Sequence, residues 1–260
     1  MCAYNIMNIE DSLKMEINDF LNVVNNLKKE ILELKEQLIQ FKSQVTIILT
    51  TTVNVFSNID CCVQPDKDER INTYLHAIRQ WLEKTKLHII LVENSGYDFP
   101  ELAAEKARYK HRFEVFSFKE DDLEEAGYLK DRRSKGDHEL FAIQYAYKNS
   151  KFVNYSLFII KVTGRYYIPG FEEYLKEVDI NNYSVIMQHQ IERCEMVGSN
   201  HKCFYQLFDL KLLNEDGNYE EMVEKVYKYR ISCIKNAHHS RIFDIEPTQR
   251  GGVNEIFHNI

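Results

Sequence analysis

Apolar residues in the first part of the chain recur at alternating intervals of four and three residues. Read as heptads, the a positions hold Ile17, Val24, Ile31 and Leu38, and the d positions hold Leu13, Phe20, Leu27, Leu34 and Phe41. This spacing is typical of a coiled coil, and branched residues at a with Leu at d favour a parallel two-stranded pairing. The pattern predicts an N-terminal helical segment, residues 1–43, with self-association through residues 13–42.

The positions that flank this apolar stripe leave a second interpretation open. In a parallel dimer, Glu30 at g would face Lys35 at e of the partner helix, which favours a homo-oligomer. Leu21 and Val23 widen the stripe, however, and a wider stripe is typical of a helix that packs on its own globular domain. The sequence therefore predicts the helix and leaves its packing partner open.

Beyond Val45 the pattern changes to short strand-like runs that alternate with helical ones. The predicted strands are 45–55, 88–96, 112–118, 155–163, 184–190 and 202–210, and the predicted helices are 70–84, 102–110, 119–130, 137–149, 172–178 and 219–230. Alternation of this kind is typical of an α/β domain with a largely parallel sheet flanked by helices. We therefore expect residues 44–260 to form one α/β domain that ends in a Gly-containing tail.

Composition narrows the class of protein. The 260 residues are 44% hydrophobic with only 9 Gly and 4 Pro, which favours a compact fold over disorder. A net charge of −7 is opposite in sign to that of a typical nucleic-acid-binding protein, so we expect no nucleic-acid partner. No run approaches the ~20 apolar residues of a transmembrane helix, and no signal peptide is visible. Six Cys without a CxxC pair indicate reduced thiols and a cytoplasmic protein.

Polar residues follow three of the predicted strands. Because ligands of open α/β sheets bind outside the carboxyl ends of the strands, these residues are candidates for a ligand site. The first strand ends in Thr51, Thr52 and Asn54, the second in Glu93, Asn94 and Ser95, and the fourth in Lys161, Thr163, Gly164, Arg165 and Tyr166.

The segment KVTGRYYIPG, residues 161–170, holds the residues best suited to bind an anionic ligand. Lys161 supplies a point charge at the strand end, and the planar fork of Arg165 can hold two phosphate oxygens. Gly164 would let the backbone approach a ligand closely. The alternative is a structural turn whose Arg pairs with a nearby acid.

The segment SKGDHELFAIQYA, residues 134–146, predicts a helix N-terminus beside Lys135 and Gly136. Such a terminus attracts an anion, and acids placed there can also be simple capping groups. The functional alternative makes Asp137 or Glu139 the general base that removes a proton from an acceptor hydroxyl.

Two further turns hold groups suited to a nucleotide. VENSG, residues 92–96, offers a carboxylate, an amide and a hydroxyl for a nucleobase or ribose, although these residues also form turns readily. Near the end of the chain, Arg250 and Gly251 could fold over a diphosphate or could merely end the chain flexibly. Arg70, at the start of the first predicted helix of the domain, completes the expected donor-binding set.

Four segments in this order, ILTTTVNV, IILVENSG, SKGDHELFAIQYA and FIIKVTGRYYIP, resemble small GT-A-type glycosyltransferases over about residues 45–210. The resemblance implies a Rossmann-like domain that binds a nucleotide-sugar donor and a hydroxyl acceptor. It places Thr51 and Glu93 at the nucleoside, and residues 161–165 where the family carries its metal-binding acidic motif.

The sequence departs from the family at this last position, because the fourth strand ends in cations and has no acid. A DKD triplet at residues 66–68 carries no weight, since about one such triplet is expected by chance. Mg²⁺ or Mn²⁺ remains a possible cofactor without an acidic motif. We expect Lys161 and Arg165, with Lys135 and Arg250, to stabilise the leaving phosphate instead.

The His and Cys residues that could bind a metal do not change this interpretation. The cluster of His and Cys between residues 189 and 203 matches no zinc spacing, so we predict no metal site there.

Two other functions stay open: a sugar nucleotidyltransferase, and a non-catalytic scaffold that binds a nucleotide or glycan and is oligomerised by its coiled coil.

Overall fold

The computed structural model describes residues 15, 17–32, 45–55, 66–251 and 254–260. They belong to two compact units, one within residues 1–42 and one within residues 43–260. In the first unit, residues 17–32 form helix α1. The a and d residues Ile17, Phe20, Leu27 and Ile31 are each more than half exposed on it, and the a residue Val24 is partly buried. The predicted heptad positions Leu13, Leu34, Leu38 and Phe41 lie outside the described residues.

The second unit is a mixed α/β domain built on a seven-stranded, mostly parallel sheet, as the sequence predicts. Its strands are β1 (Val45–Thr51), β2 (His88–Glu93), β3 (Phe113–Ser117), β4 (Phe158–Thr163), β5 (Val185–Met187), β6 (Met196–Asn200) and β7 (Ala237–His239). They lie in the order β3-β2-β1-β4-β6-β5-β7, with β6 antiparallel to both of its neighbours and the other pairings parallel.

Helices flank this sheet, and a two-stranded antiparallel hairpin ends the chain. The helices are α2 (Lys67–Lys84), α3 (Ala103–Arg108), α4 (Lys135–Asn149), α5 (Phe171–Glu177), α6 (Phe204–Leu207) and α7 (Val223–Ser232), and the hairpin is β8 (Asp244–Gln249) with β9 (Ile256–Asn259). Within the described part of the chain, no helix combines the length and apolar character needed to cross a membrane.

The two faces of the central strands bury different residues because side chains alternate along a strand. On β1, Ile47 and Leu49 belong to one core cluster, together with Trp81 of α2. Ile48 points to the other face and joins a second cluster with Ile143 of α4 and Tyr227 of α7. The sheet is therefore covered on both faces, as its continuously apolar strands predict.

Helices α2 and α4 each begin after a polar side chain that caps the helix N-terminus. The Asp66 side chain accepts a hydrogen bond from the backbone N–H of Glu69, and the Ser134 hydroxyl accepts one from the N–H of Gly136. Both residues occupy the N-cap position, where short polar side chains satisfy helix N–H groups. The first Asp of the DKD triplet is thus a helix cap.

Several expectations for the C-terminal part of the domain are wrong. Residues 202–210 form a turn and the short helix α6, because Phe204, Leu207 and Phe208 bury at helical spacing. Strands β6 and β7 are not among the predicted strands. The glycine-containing tail is part of the β8–β9 hairpin, and α7 begins at Val223, later than predicted.

The strand order creates a crevice beside β1. Strand β2 pairs with one edge of β1 and β4 with the other, so the connections after β1 and β4 leave the sheet in different directions. In open α/β sheets such a switch point opens a crevice outside the carboxyl ends of the strands. We therefore expect the polar residues that follow the predicted strands to line this crevice.

Candidate functional site

A cleft of about 250 Å³ lies at the carboxyl ends of β1 and β4. Cationic side chains outnumber carboxylates among its lining residues: Arg70, Lys135, Lys161, Arg165 and Arg250 against Glu139, Glu195 and Glu224. A chain with net charge −7 therefore concentrates positive charge at one place. Such a concentration favours an anionic ligand.

The buried Lys161 forms an ion pair with the partly buried Glu139 at this cleft. The Lys161 Nζ lies 2.8 Å from Glu139 Oε1 and donates a 2.8 Å hydrogen bond to the carbonyl oxygen of Cys194. The Thr50 hydroxyl donates to the same Glu139 oxygen at 2.8 Å. Burial alone would lower the pKa of Lys161, but the attraction of Glu139, with smaller contributions from Cys194 and Glu195, raises it overall. Lys161 is therefore a fixed positive charge.

Arg165 lies where β4, β1 and the C-terminal hairpin meet. Its Nη1 donates a 3.0 Å hydrogen bond to the carbonyl oxygen of Gln249, just before the hairpin turn. Gly251 packs directly on the guanidinium, since a Cβ at this position would lie 2.5 Å from Arg165 Nη2. Gly164 plays a similar part on the strand side, where a Cβ would lie 2.8 Å from the Thr50 carbonyl oxygen. Both glycines permit close packing around Arg165.

The N-termini of α4 and α7 converge on the cleft. A Cβ on Gly136 would lie 2.6 Å from the Cβ of Val223, so only glycine allows the two helix ends to approach this closely. Lys135, Gly136, Val223 and Glu224 all line the cleft. The first N–H groups of each helix carry partial positive charge, which adds to the attraction for an anion.

The turns after β1 and β2 are tied to each other by their own polar groups. The Thr51 hydroxyl donates to the Val92 carbonyl oxygen at 3.0 Å, and the Thr52 hydroxyl donates to Asn94 Oδ1 at 2.7 Å. Of these residues, Thr51, Thr52 and Asn94 line the cleft. They form one wall of the cleft, and their mutual hydrogen bonds hold that wall in place.

Glu93 is not part of this wall, contrary to the nucleoside role that the resemblance gave it. Its carboxylate is fully buried and accepts hydrogen bonds from the backbone N–H groups of Val53, Ser95 and Tyr97 at 2.7 to 3.0 Å. Burial raises the pKa of Glu93, and these hydrogen bonds act against that rise. Glu93 holds the turn together. Asn54, Ser95 and Gly164 also lie outside the cleft lining.

The two predicted bases, Asp137 and Glu139, have different surroundings. Glu139 lines the cleft, whereas Asp137 does not and instead accepts a 2.5 Å hydrogen bond from the Tyr219 hydroxyl. Burial raises the pKa of Asp137, although that hydrogen bond and the charge of Arg132 oppose the rise. The structure therefore does not place Asp137 where an acceptor would bind, because its carboxylate is engaged in holding the loop that carries Tyr219.

The remaining predicted residues Thr163, Tyr166, Arg250 and Gly251 all line the cleft. Sequence reasoning missed Glu195, Glu224, His138 and Tyr74, which line it as well. Glu195 immediately precedes β6, a strand that was not predicted, and Glu224 lies in the first turn of α7, whose start was predicted too early. His138 pairs through Nδ1 with Glu120 Oε2 at 2.5 Å, a partner 18 residues earlier in the chain.

The residues at the end of β4 do not fit a divalent cation. Lys161 and Arg165 are cations, whereas Mg²⁺ and Mn²⁺ prefer carboxylate and carbonyl oxygens. Among the residues that the structure describes, no group of three or more His, Cys, Asp or Glu side chains is arranged to hold a metal ion.

Comparison with known proteins gives distant likenesses in structure alone. No protein-family model and no curated protein matches the chain. A protein from Desulfovibrio desulfuricans G20 assigned as a nucleotide-diphospho-sugar transferase is 15% identical, with a TM-score of 0.42 over 76% of this chain and 80% of its own. A fragment of TarS from S. aureus is 13% identical, with a TM-score of 0.42 over 76% of this chain and 58% of its own. These values are too low to assign a family.

Proposed function

We propose that this protein is a glycosyltransferase that moves a sugar from a nucleotide-sugar donor to a hydroxyl acceptor. The observation that carries the proposal is the cationic cleft at the β1/β4 switch point, which is lined by cations, two helix N-termini and carboxylates together. A nucleotide sugar presents phosphates to such a site, and its transfer leaves further negative charge on the departing nucleotide. The resemblance of residues 45–210 to GT-A-type enzymes supports the same class.

The cations of the cleft would do the work that a metal ion does in related chemistry. Arg165 and Arg250 would contact the donor phosphates through their planar guanidinium groups, which match phosphate geometry. Lys161, fixed by Glu139, would supply a positive charge, and the α4 N-terminus, whose Gly136 N–H is capped by Ser134, would add the positive end of its helix dipole. No step in this account requires a bound metal.

The nucleoside would lie against the wall formed at the ends of β1 and β2. Thr51, Thr52 and Asn94 line this part of the cleft, and Arg70 lies beside them with its Nη2 donating to the Thr52 carbonyl oxygen. The sugar would then lie toward Glu139 and Glu224, where a hydroxyl acceptor could approach.

A panel of nucleotide sugars tests this function against its two rivals. A glycosyltransferase should release nucleotide from at least one sugar donor, with transfer or slow hydrolysis of the sugar. A sugar nucleotidyltransferase would instead form a nucleotide sugar and pyrophosphate from a sugar phosphate and a nucleoside triphosphate. A scaffold would bind nucleotides without turnover, and this last result would contradict the proposed activity.

We also propose that α1 associates with the α1 of a second chain as a parallel coiled coil. Leu27 lies at a d position and is 51% exposed. Replacing it by Glu puts a charge into the predicted seam, so we expect the mass of the full-length protein measured by light scattering to fall to that of a monomer. Asn25→Glu, at a b position outside the seam, is the control that should keep the wild-type mass. Equal masses for wild type and Leu27→Glu would contradict self-association.

A further inference from the structure

The three carboxylates of the cleft differ in how strongly they are held. Glu139 has two partners at 2.8 Å, Lys161 and the Thr50 hydroxyl. Glu195 accepts from Gln188 at 3.0 Å and from Arg193 at 3.1 Å. By contrast, the carboxylate of Glu224 has one side-chain partner among the described residues, Arg250 Nη2 at 3.4 Å, and its side chain is 23% exposed.

Arg250 itself is held loosely. Its Nε lies 3.6 Å from Glu195 Oε1 and its Nη2 lies 3.4 Å from Glu224 Oε1. Charge-assisted hydrogen bonds between such groups usually measure about 2.7–2.9 Å, so neither contact is tight. The Arg250 side chain is 27% exposed, whereas that of Lys161 is 1% exposed. The guanidinium carbon also lies 5.2 Å from the ring centroid of Phe257. Because no carboxylate oxygen of the described residues lies closer than 3.4 Å, the guanidinium can exchange these carboxylates for a phosphate.

The backbone that carries Arg250 is fixed, in contrast to its side chain. Its N–H donates to the Glu255 carbonyl oxygen at 2.9 Å, which closes the turn between β8 and β9. The preceding carbonyl, of Gln249, accepts from Arg165 at 3.0 Å. The hairpin therefore fixes the backbone of Arg250 beside Arg165, while the Arg250 guanidinium can still move. Arg165 is the residue proposed to contact the donor phosphates.

We propose that Glu224 is the base that takes the proton of the acceptor hydroxyl, and that Arg250 restrains Glu224 until a donor phosphate draws the guanidinium away. The inference rests on the proposed glycosyltransferase function and adds a residue and an order of events to it. A phosphate offers the Arg fork two oxygens in favourable geometry, which the loose contacts to Glu195 and Glu224 do not. Donor binding then frees the carboxylate, so the donor binds before the acceptor reacts.

The transfer step balances with these residues. The acceptor O–H bond breaks and its proton moves to a Glu224 carboxylate oxygen. The acceptor oxygen forms a bond to the anomeric carbon while the bond from that carbon to the phosphate oxygen breaks. The electron pair of that bond leaves with the nucleotide, whose new charge Arg250 and Arg165 stabilise. Direct displacement of this kind inverts the configuration at the anomeric carbon.

Neither other carboxylate suits this role as well. Glu139 is held by Lys161 and Thr50, so accepting a proton would leave the buried Lys161 ammonium without its ion-pair partner. Glu195 is more deeply buried and holds Arg193, whose guanidinium packs 3.6 Å from the ring centroid of Phe257 on β9. Glu195 therefore anchors the hairpin, while Glu224 is the carboxylate available to an acceptor.

The test combines binding and transfer with matched variants of the full-length protein. We expect Glu224→Gln to lower transfer to the acceptor by about 100-fold or more, since general-base catalysis contributes that much. Its binding of UDP or GDP, measured by calorimetry, should stay equal or become tighter, because Arg250 has lost a competing carboxylate. Arg250→Ala should weaken the same binding by about 10-fold, the loss of one charged contact.

Glu221→Gln is the matched control, because Glu221 lies three residues away on the surface and outside the cleft lining. It should keep wild-type binding and transfer. Wild-type transfer by Glu224→Gln, or wild-type nucleotide binding by Arg250→Ala, would overturn this inference alone. If the wild-type protein binds neither UDP nor GDP and transfers no sugar, the proposed function fails and this inference fails with it.

Discussion

Replacing Arg165 by alanine should lower sugar transfer by about 100-fold or more, the usual effect of removing one preorganised donor to a developing negative charge. Its guanidinium lies at the end of β4 against Gly251, in the part of the cleft assigned to the donor phosphates. The loss should appear in kcat/KM for any donor that the wild-type protein uses, because the contact is made to the phosphates that all such donors share.

Two comparisons separate this effect from unfolding. Arg165→Lys keeps a positive charge but loses the planar fork, so it should recover only part of the activity. Arg241→Ala removes an Arg that pairs with Glu177 at 3.7 Å outside the cleft, and it should transfer sugar at the wild-type rate. If folded Arg165→Ala turns over donor at the wild-type rate, Arg165 does not stabilise the leaving group.

Replacing Lys161 by methionine should lower the free energy of unfolding by about 3–5 kcal/mol, because it leaves the Glu139 carboxylate without its buried partner. The side chain of Lys161 is 1% exposed, and its ammonium also satisfies the Cys194 carbonyl oxygen. Urea unfolding followed by the fluorescence of Trp81 measures the change, since Trp81 is the one Trp of the chain and is fully buried.

A double variant distinguishes a coupled pair from two independent residues. Lys161→Met with Glu139→Leu removes both charges together, so it should be destabilised by less than the sum of the two single variants. Additive losses, or a Lys161→Met protein as stable as wild type, would show that the two side chains do not stabilise each other.

The fold could be predicted where a buried element leaves a run or a regular spacing of apolar residues in the sequence. Residues 45–51 and 88–93 are buried along their whole length, and such continuous apolar runs indicate strands covered on both faces. Residues 202–210 misled the prediction because Phe and Tyr have high strand propensity, whereas Phe204 and Leu207 pack at helical spacing in this protein. Short elements such as β7 have too few residues to show a period.

The candidate site could be predicted only in part, because a sequence shows that a polar residue ends a strand but not where its side chain turns. Lys161 and Arg165 stand out since charged residues directly follow a buried strand. Glu93 has the same signal, yet its carboxylate turns inward to the N–H groups of its own turn. Glu224 reaches the cleft only through the packing of α7 on α4, a contact that no local pattern encodes.

The measurement that tests the central claim most directly is nucleotide release from sugar donors in the presence of EDTA. Wild-type protein, assayed with the nucleotide-sugar panel, should release nucleotide at the same rate with EDTA as with added Mn²⁺. The Arg165→Ala variant should release nucleotide far more slowly than wild type under both conditions. This result would show that the cations at the end of β4 stabilise the leaving phosphate. Release that stops in EDTA and returns with Mn²⁺, or no release from any donor, would contradict the account.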